Sequence, residues 1–377
     1  MFGKRLVLFE LFGFKVQADM SWLFLALLVT WSLAQGLFPA FYPGLPPATY
    51  WKMGVIGMIG LFFSLVLHEL SHALVARHYG LSIKGITLFI FGGVAEMEEE
   101  PDSAKTEFLM AIAGPIASLA LAAGFHGLTL AGAAQGVPDS VLAVAGYLAF
   151  INVVLAVFNL VPAFPLDGGR ALRAALWYWK GDLRWATRLA SRCGQVFGIV
   201  LISLGVLSVL TGDFIGGMWL SLIGLFLRGA ASASYTQLIT RQAFEGEPVS
   251  RFMTLDPVTV SLELSVESLI EDYIYGYHYD LFPVVDGPRL VGLVSTRQVR
   301  EVPRAEWARA RVADILVPCG PDNTIGPRAD AVKALSVMRR GGNSRLMVAD
   351  GDRLLGVIAL KDLLEFLGLK MDLERLE

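Results

Sequence analysis

Cysteine is almost missing from this chain of 377 residues: there are two, Cys193 and Cys319, far apart. They offer no disulfide framework and no paired-cysteine zinc motif, and both read as buried, inert thiols. Charge is scarce too. Lys, Arg, Asp and Glu make up 17% of the residues, where soluble proteins carry about 25%. The net charge of −3 is too small to imply a nucleic-acid partner. The first residues lack the pattern of a cleaved leader. Glu10 and Lys15 interrupt the apolar run of Met1–Asp19, and no small-residue cleavage site follows.

What is present is spread unevenly. Met1–Pro248 holds 15 basic and 15 acidic residues, while Val249–Glu377 holds 16 and 19 in a much shorter length. The first part has a membrane composition and the second a soluble one, so two domains are expected, residues 1–240 and 241–377. A stretch of about 20 apolar residues suffices to cross a bilayer as a helix. Six occur: Met20–Phe38, Met53–Ala76, Phe108–Ala131, Ser140–Val161, Cys193–Thr211 and Phe214–Ala231. The first, third and fifth connections contain one basic residue, Lys52. The N-terminal segment and the even connections carry Lys4, Arg5, Lys15, Lys84, Lys105 and six more from Arg170 to Arg192. Positive charge stays inside, which puts both termini and the soluble domain in the cytoplasm of a multi-pass cell-membrane protein. Arg5–Val16 and Ile83–Met97 are rich in Val, Ile and Phe and broken by glycine. They predict a small membrane-associated β-sheet, with a turn at Phe91-Gly92-Gly93. The acidic run Glu96–Asp102 reads as a solvated loop, with Ser103 capping the third helix.

The second apolar stretch contains His68-Glu69-Leu70-Ser71-His72. Histidines at i and i+4 share one helical face and can bind one zinc ion, with the glutamate beside them as general base. With five His and 17 Glu in the chain, chance would produce this pattern in about three of a thousand such chains. Ionisable groups inside an apolar helix are costly unless they face a functional interior. The plainer alternative is a histidine pair satisfied by its packing. Catalytic zinc needs a third protein ligand. His78 lies beyond the helix end, His126 is alone in the third stretch, and His278 belongs to the soluble part. The fourth stretch ends in Asn159-Leu160-Val161-Pro162-Ala163-Phe164-Pro165-Leu166-Asp167-Gly168-Gly169. Two prolines break the helix there and present Asp167 at its cytoplasmic end. Stretches two and four run in the same direction, so charge counting alone brings His72 and Asp167 to one membrane level. Without the histidines, Asp167 would be read as a helix N-cap.

Four motifs together resemble the site-2 protease family of intramembrane metalloproteases. They are His68-Glu69-x-x-His72, Phe91-Gly92-Gly93, Ala113-Gly114-Pro115 and Asn159-x-x-Pro162-x-x-Pro165-Leu166-Asp167-Gly168-Gly169. The resemblance covers roughly Gly3–Ala231. It implies a six-helix membrane fold, one zinc ion held by His68, His72 and Asp167, and Glu69 activating water. It further implies that Asn159 holds substrate or the oxyanion, and that Phe91, Gly92 and Gly93 border a membrane-protein substrate that has locally unwound.

The soluble part repeats itself at a spacing of 64. Phe282–Ser295 matches Leu346–Ala359, each a strand, an Asp-Gly turn and a second strand. Val266–Tyr277 and Ala329–Arg340 precede them with helical periodicity, and neither unit alone buries a good core. This resembles an α/β pair of CBS domains over Val249–Leu369. Such pairs bind adenine nucleotides between the repeats, and also form homodimers. Where the family has a hydroxyl followed three residues later by Asp, the first repeat has Ser295 but Gln298, and the second has Ala359 but Asp362. A structural or dimerising module therefore stands beside a nucleotide sensor. For the whole chain, a metal or solute transporter gated by the CBS pair, or an inactive membrane scaffold, are the competing classes. Neither requires a glutamate between the two histidines.

Overall fold

The computed structural model describes residues 5–89, 92–97 and 101–374. The chain divides into two units, Met1–Thr236 and Gln237–Glu377.

In the first unit two hairpins build one sheet. Strands β1 (Arg5–Leu11) and β2 (Phe14–Asp19) turn through Phe12-Gly13, both at positive φ. Strands β3 (Ile83–Phe89) and β4 (Gly92–Met97) form the second hairpin. β2 pairs with β3 in parallel, giving the order β1-β2-β3-β4. A parallel pair needs a long crossover, and here the first two membrane helices supply it. Gly92 and Gly93 lie in strand, opposite Phe89 and Leu88, rather than in the expected turn. Phe91 falls outside the described residues.

The helices are α1 (Met20–Ser32), α2 (Phe38–Phe41), α3 (Pro47–His78), α4 (Ala104–Ala134), α5 (Asp139–Asn159), α6 (Asp167–Lys180), α7 (Leu183–Leu210) and α8 (Phe214–Phe244). A π-helical turn, Leu33–Leu37, joins α1 to α2 as one span. That span and α3, α4, α5, α7 and α8 are the six helices long and apolar enough to cross a membrane. Their outward faces stay apolar, with Leu27, Ile56, Leu128 and Val157 exposed, as membrane spans require. Several run beyond their apolar windows. α7 starts ten residues before Cys193, because Asp182 caps it by accepting from Trp185 N at 2.9 Å. Ser103 caps α4 by accepting from Thr106 N.

α3 is central, and its faces are divided among partners. Val66, Leu70 and Ala73 pack on Phe14, Val16, Ile86 and Leu88 of the sheet. Ser64 accepts a hydrogen bond from Asn152 of α5 at 2.9 Å. His68 and His72 occupy the face left over, towards α4.

In the second unit, hairpins Leu281–Asp286/Arg289–Ser295 and Arg345–Asp350/Arg353–Ala359 join edge to edge through Arg289 and Arg353. Leu290, Leu293, Met347 and Ala349 form the core between the repeats. The 64-residue symmetry reaches the loops: Thr296 N donates to Asp280 O, and Leu360 N to Ser344 O. The helix expected over Val266–Tyr277 is divided, with a π-helical middle at Leu269–Ile274. Cys193 is half-buried, and Cys319 is exposed at the end of the two-residue strand Val317–Pro318, against the expectation of two buried thiols.

Candidate metal centre

His68 and His72 follow each other by one turn near the C-terminal end of α3, and both are buried. Asp167 arrives from a different direction. α5 ends at Asn159, and the segment to Leu166, which contains a cis Phe164–Pro165 bond, folds back on itself. Phe164 N donates to Ala190 O of α7 at 3.3 Å. A Cβ at Gly168 would strike the carbonyls of Leu160 and Val161, and one at Gly194 the carbonyl of Phe164. Only glycine lets these backbones approach so closely. The fold-back starts α6 at Asp167 itself, with Leu166 as N-cap. The Asp167 carboxylate is thus not spent on capping.

Asp167 Oδ2 lies 3.1 Å from His68 Nε2 and 3.2 Å from His72 Nε2, and the two nitrogens are 3.3 Å apart. These three residues are the group of potential metal ligands found among the described residues. Tetrahedral zinc with bonds of about 2.0–2.1 Å separates its ligand atoms by roughly 3.3–3.4 Å. The observed edges of 3.1–3.3 Å come within about 0.3 Å of those dimensions, and the two nitrogens and one oxygen suit zinc. Orientation agrees. His72 Nδ1 donates to Met110 O at 2.7 Å, an acceptor only, so Nδ1 carries the proton and Nε2 presents its lone pair to the cluster. His68 Nδ1 is 2.9 Å from Ser118 Oγ.

The other expected residues fall into place unevenly. Glu69 lies against Gly93 of β4, where a Cβ would come within 2.5 Å of its Cγ and 3.0 Å of Oε1. The hairpin therefore borders the cluster through a position that must lack a side chain. Asn159 is the last residue of α5, and its amide donates to Leu155 O at 3.0 Å. His78 stacks edge-on with Tyr79, and His78, His126 and His278 are all exposed. In the second unit Ser295 caps the helix Thr296–Glu301 and donates to Gln298 Oε1 at 2.6 Å. Asp362 sits in the first turn of the helix Leu360–Glu374. No hydrogen bond or ion pair joins Ser295 to Asp362 among the described residues.

Sequence reasoning missed most of what α4 contributes. Glu107, Met110, Gly114 and Ser118 fall on one stripe at helical spacing, all buried. Met110 and Ser118 hold the imidazoles, and Gly114 makes room for them: a Cβ there would lie 2.5 Å from His68 Nε2 and closer to His72 Nε2. The available signal was a serine and a glutamate in register with the glycine of the Ala113-Gly114-Pro115 motif.

Comparison with known proteins adds the family. The family model for peptidase family M50 matches residues 56–141 and 126–202, and the CBS domain model matches 249–304 and 312–369. Rip3 of Mycobacterium tuberculosis, whose name places it among the zinc metalloproteases, is 39% identical over 93% of this chain and 89% of its own. Zinc metalloprotease MJ0392 of Methanocaldococcus jannaschii is 30% identical over 81% of this chain and 82% of its own. The solved site-2 protease from Methanocaldococcus jannaschii is 27% identical, covers 62% of this chain and 95% of its own, and superposes with a TM-score of 0.43. The fold and relatives together define a multi-pass membrane zinc metalloprotease with a C-terminal CBS pair. The chain belongs to peptidase family M50, the site-2 protease type.

Proposed function

We propose that His68, His72 and Asp167 hold the zinc ion and that the enzyme hydrolyses peptide bonds in or near transmembrane segments of membrane-protein substrates. The observation that carries this reading is the triangle of donor atoms with edges of 3.1–3.3 Å, buried beside Glu69. Zinc in such a site lowers the pKa of a bound water and polarises a carbonyl. Glu69 is the general base: it takes the proton of the attacking water and delivers it to the departing amide nitrogen. Gly93 leaves the Glu69 carboxylate the space to do so. Asn159, the last residue of α5 before the segment that leads to Asp167, helps hold the substrate or its oxyanion.

A peptide bond within a membrane helix is already hydrogen-bonded, so the substrate must unwind before reaction. β4 is an edge strand among the described residues. A substrate strand added to it through Gly92 and Gly93 satisfies the freed backbone groups and passes close to Glu69. The basic residues of the even connections put both termini and the CBS pair in the cytoplasm, where the pair regulates the protease.

The test is zinc content and proteolysis of the purified full-length enzyme. His72→Ala and Asp167→Ala should each lose near-stoichiometric zinc. Glu69→Gln should keep zinc and lose at least about 100-fold in turnover, the scale of general-base catalysis. Zinc retained by Asp167→Ala would break the ligand set, and full activity of Glu69→Gln would remove the base.

A further inference from the structure

A buried ion pair lies outside everything the mechanism uses. Glu107 opens the buried stripe of α4 and is 1% exposed; Arg173 of α6 is 6% exposed. Arg173 Nε donates to Glu107 Oε1 at 2.6 Å, and Nη2 pairs with the same oxygen. The guanidinium also lies over the ring of Phe164, 5.1 Å from its centroid, in the fold-back that delivers Asp167. Glu107 Oε2 is buried with no hydrogen-bond partner. Such a pair is a poor source of stability, because desolvating both charges offsets most of their attraction.

Its position suggests another purpose. Arg173 follows Asp167 by six residues, about 9 Å along α6 at 1.5 Å per residue. Glu107 precedes Gly114, the residue that faces both imidazoles, by seven residues, about 10.5 Å along α4. The cluster ties the start of α6 to the imidazoles of α3, which α4 itself holds, and the ion pair is a second tie on α6, made directly to α4 and displaced from the cluster along both helices. Two separated ties fix both the rotation and the axial register of a short helix. The amphipathic α6 needs this, because its burial face rests largely on Gly168, Gly169 and Ala174, which offer little side chain to lock. The other end of the arrangement is already tied, since the same stripe of α4 holds His72 through Met110 and His68 through Ser118.

We propose that Glu107 and Arg173 are positioning residues for Asp167. Their ion pair fixes α6 on α4 so that the carboxylate meets both imidazoles at once. This rests on the ligand set proposed above. The test uses the full-length enzyme in detergent, with two readouts besides activity: the rate of zinc release to a chelator, and the visible spectrum after replacing zinc with Co2+, which reports coordination geometry. The double variant Glu107→Leu with Arg173→Met removes the pair without stranding a buried charge. Zinc release should accelerate roughly 10-fold or more, the scale seen when outer-sphere partners of metal ligands are lost, and the Co2+ bands should weaken. Arg173→Lys, which keeps the charge but not the fork, should fall between the double variant and wild type. Tyr50→Phe, which deletes a buried hydroxyl at the opposite end of α3, should leave both readouts unchanged. A folded double variant with wild-type release and spectrum overturns the proposal. If the double variant does not fold, Arg173→Lys decides alone, and unchanged release from it overturns the proposal. Zinc retained in parallel by His72→Ala and Asp167→Ala would instead bring down the ligand set itself.

Discussion

Two glycines separate metal binding from catalysis at the scale of single residues. Gly114 sits in the interior of α4, where alanine is intrinsically favoured by about 1 kcal/mol. Its Cβ, however, would collide with both Nε2 atoms. Gly114→Ala should therefore leave α4 helical and lose zinc, as read by metal analysis and circular dichroism. Gly93→Ala places its methyl against Glu69 Cγ. It should retain zinc and lose proteolysis, and loss of zinc there would show that the hairpin supports the ligands rather than the base. The histidines and Glu69 were legible in the sequence because ionisable residues in apolar helices are rare, and Asp167 because two prolines end the fourth apolar stretch just before it. Met110 was not, because its contribution is a backbone carbonyl, and any residue type supplies one.

Among elements, the turn between α5 and α6 carries the greatest demand on backbone geometry. Pro162 and Pro165 announced that a helix ends, but not that the chain then folds back so tightly that Gly168 touches the carbonyl of Leu160. Gly168→Ala has only backbone to push against, so α6 must move. Metal analysis should find zinc lost, with a lower melting temperature, whereas Gly181→Ala at the far end of the same helix should keep its zinc. Helix ends were the least legible feature. α7 continues through Arg184, Arg188 and Arg192, because its start is set by the Asp182 cap and not by hydropathy. The second hairpin was legible from its Val, Ile and Phe content. The place of its glycines in strand was not, because the reason is a side chain on another element, Glu69.

For the molecule as a whole, the 64-residue repeat and the uneven spread of charge make two parts of the chain legible in the sequence. The proposed orientation follows from the charge of the connections, and the exposed Cys319 provides its test. In a Cys193→Ser background, a membrane-impermeant maleimide should label Cys319 in inverted vesicles and not in right-side-out ones. The reverse pattern would place the CBS pair on the opposite side. The nucleotide question was less legible, because the two halves of the expected site are split between repeats. The Ser295 hydroxyl is in addition already engaged with Gln298.

Ninety-five residues of chain separate His72 from Asp167. While α4 and α5 are still being threaded into the bilayer, the nascent protein carries both histidines and the glutamate but no carboxylate to complete the proposed set. The proposed set becomes complete only when α6 has been made and docks. Until then, a peptidase assembled this way is disarmed by the order of its own chain.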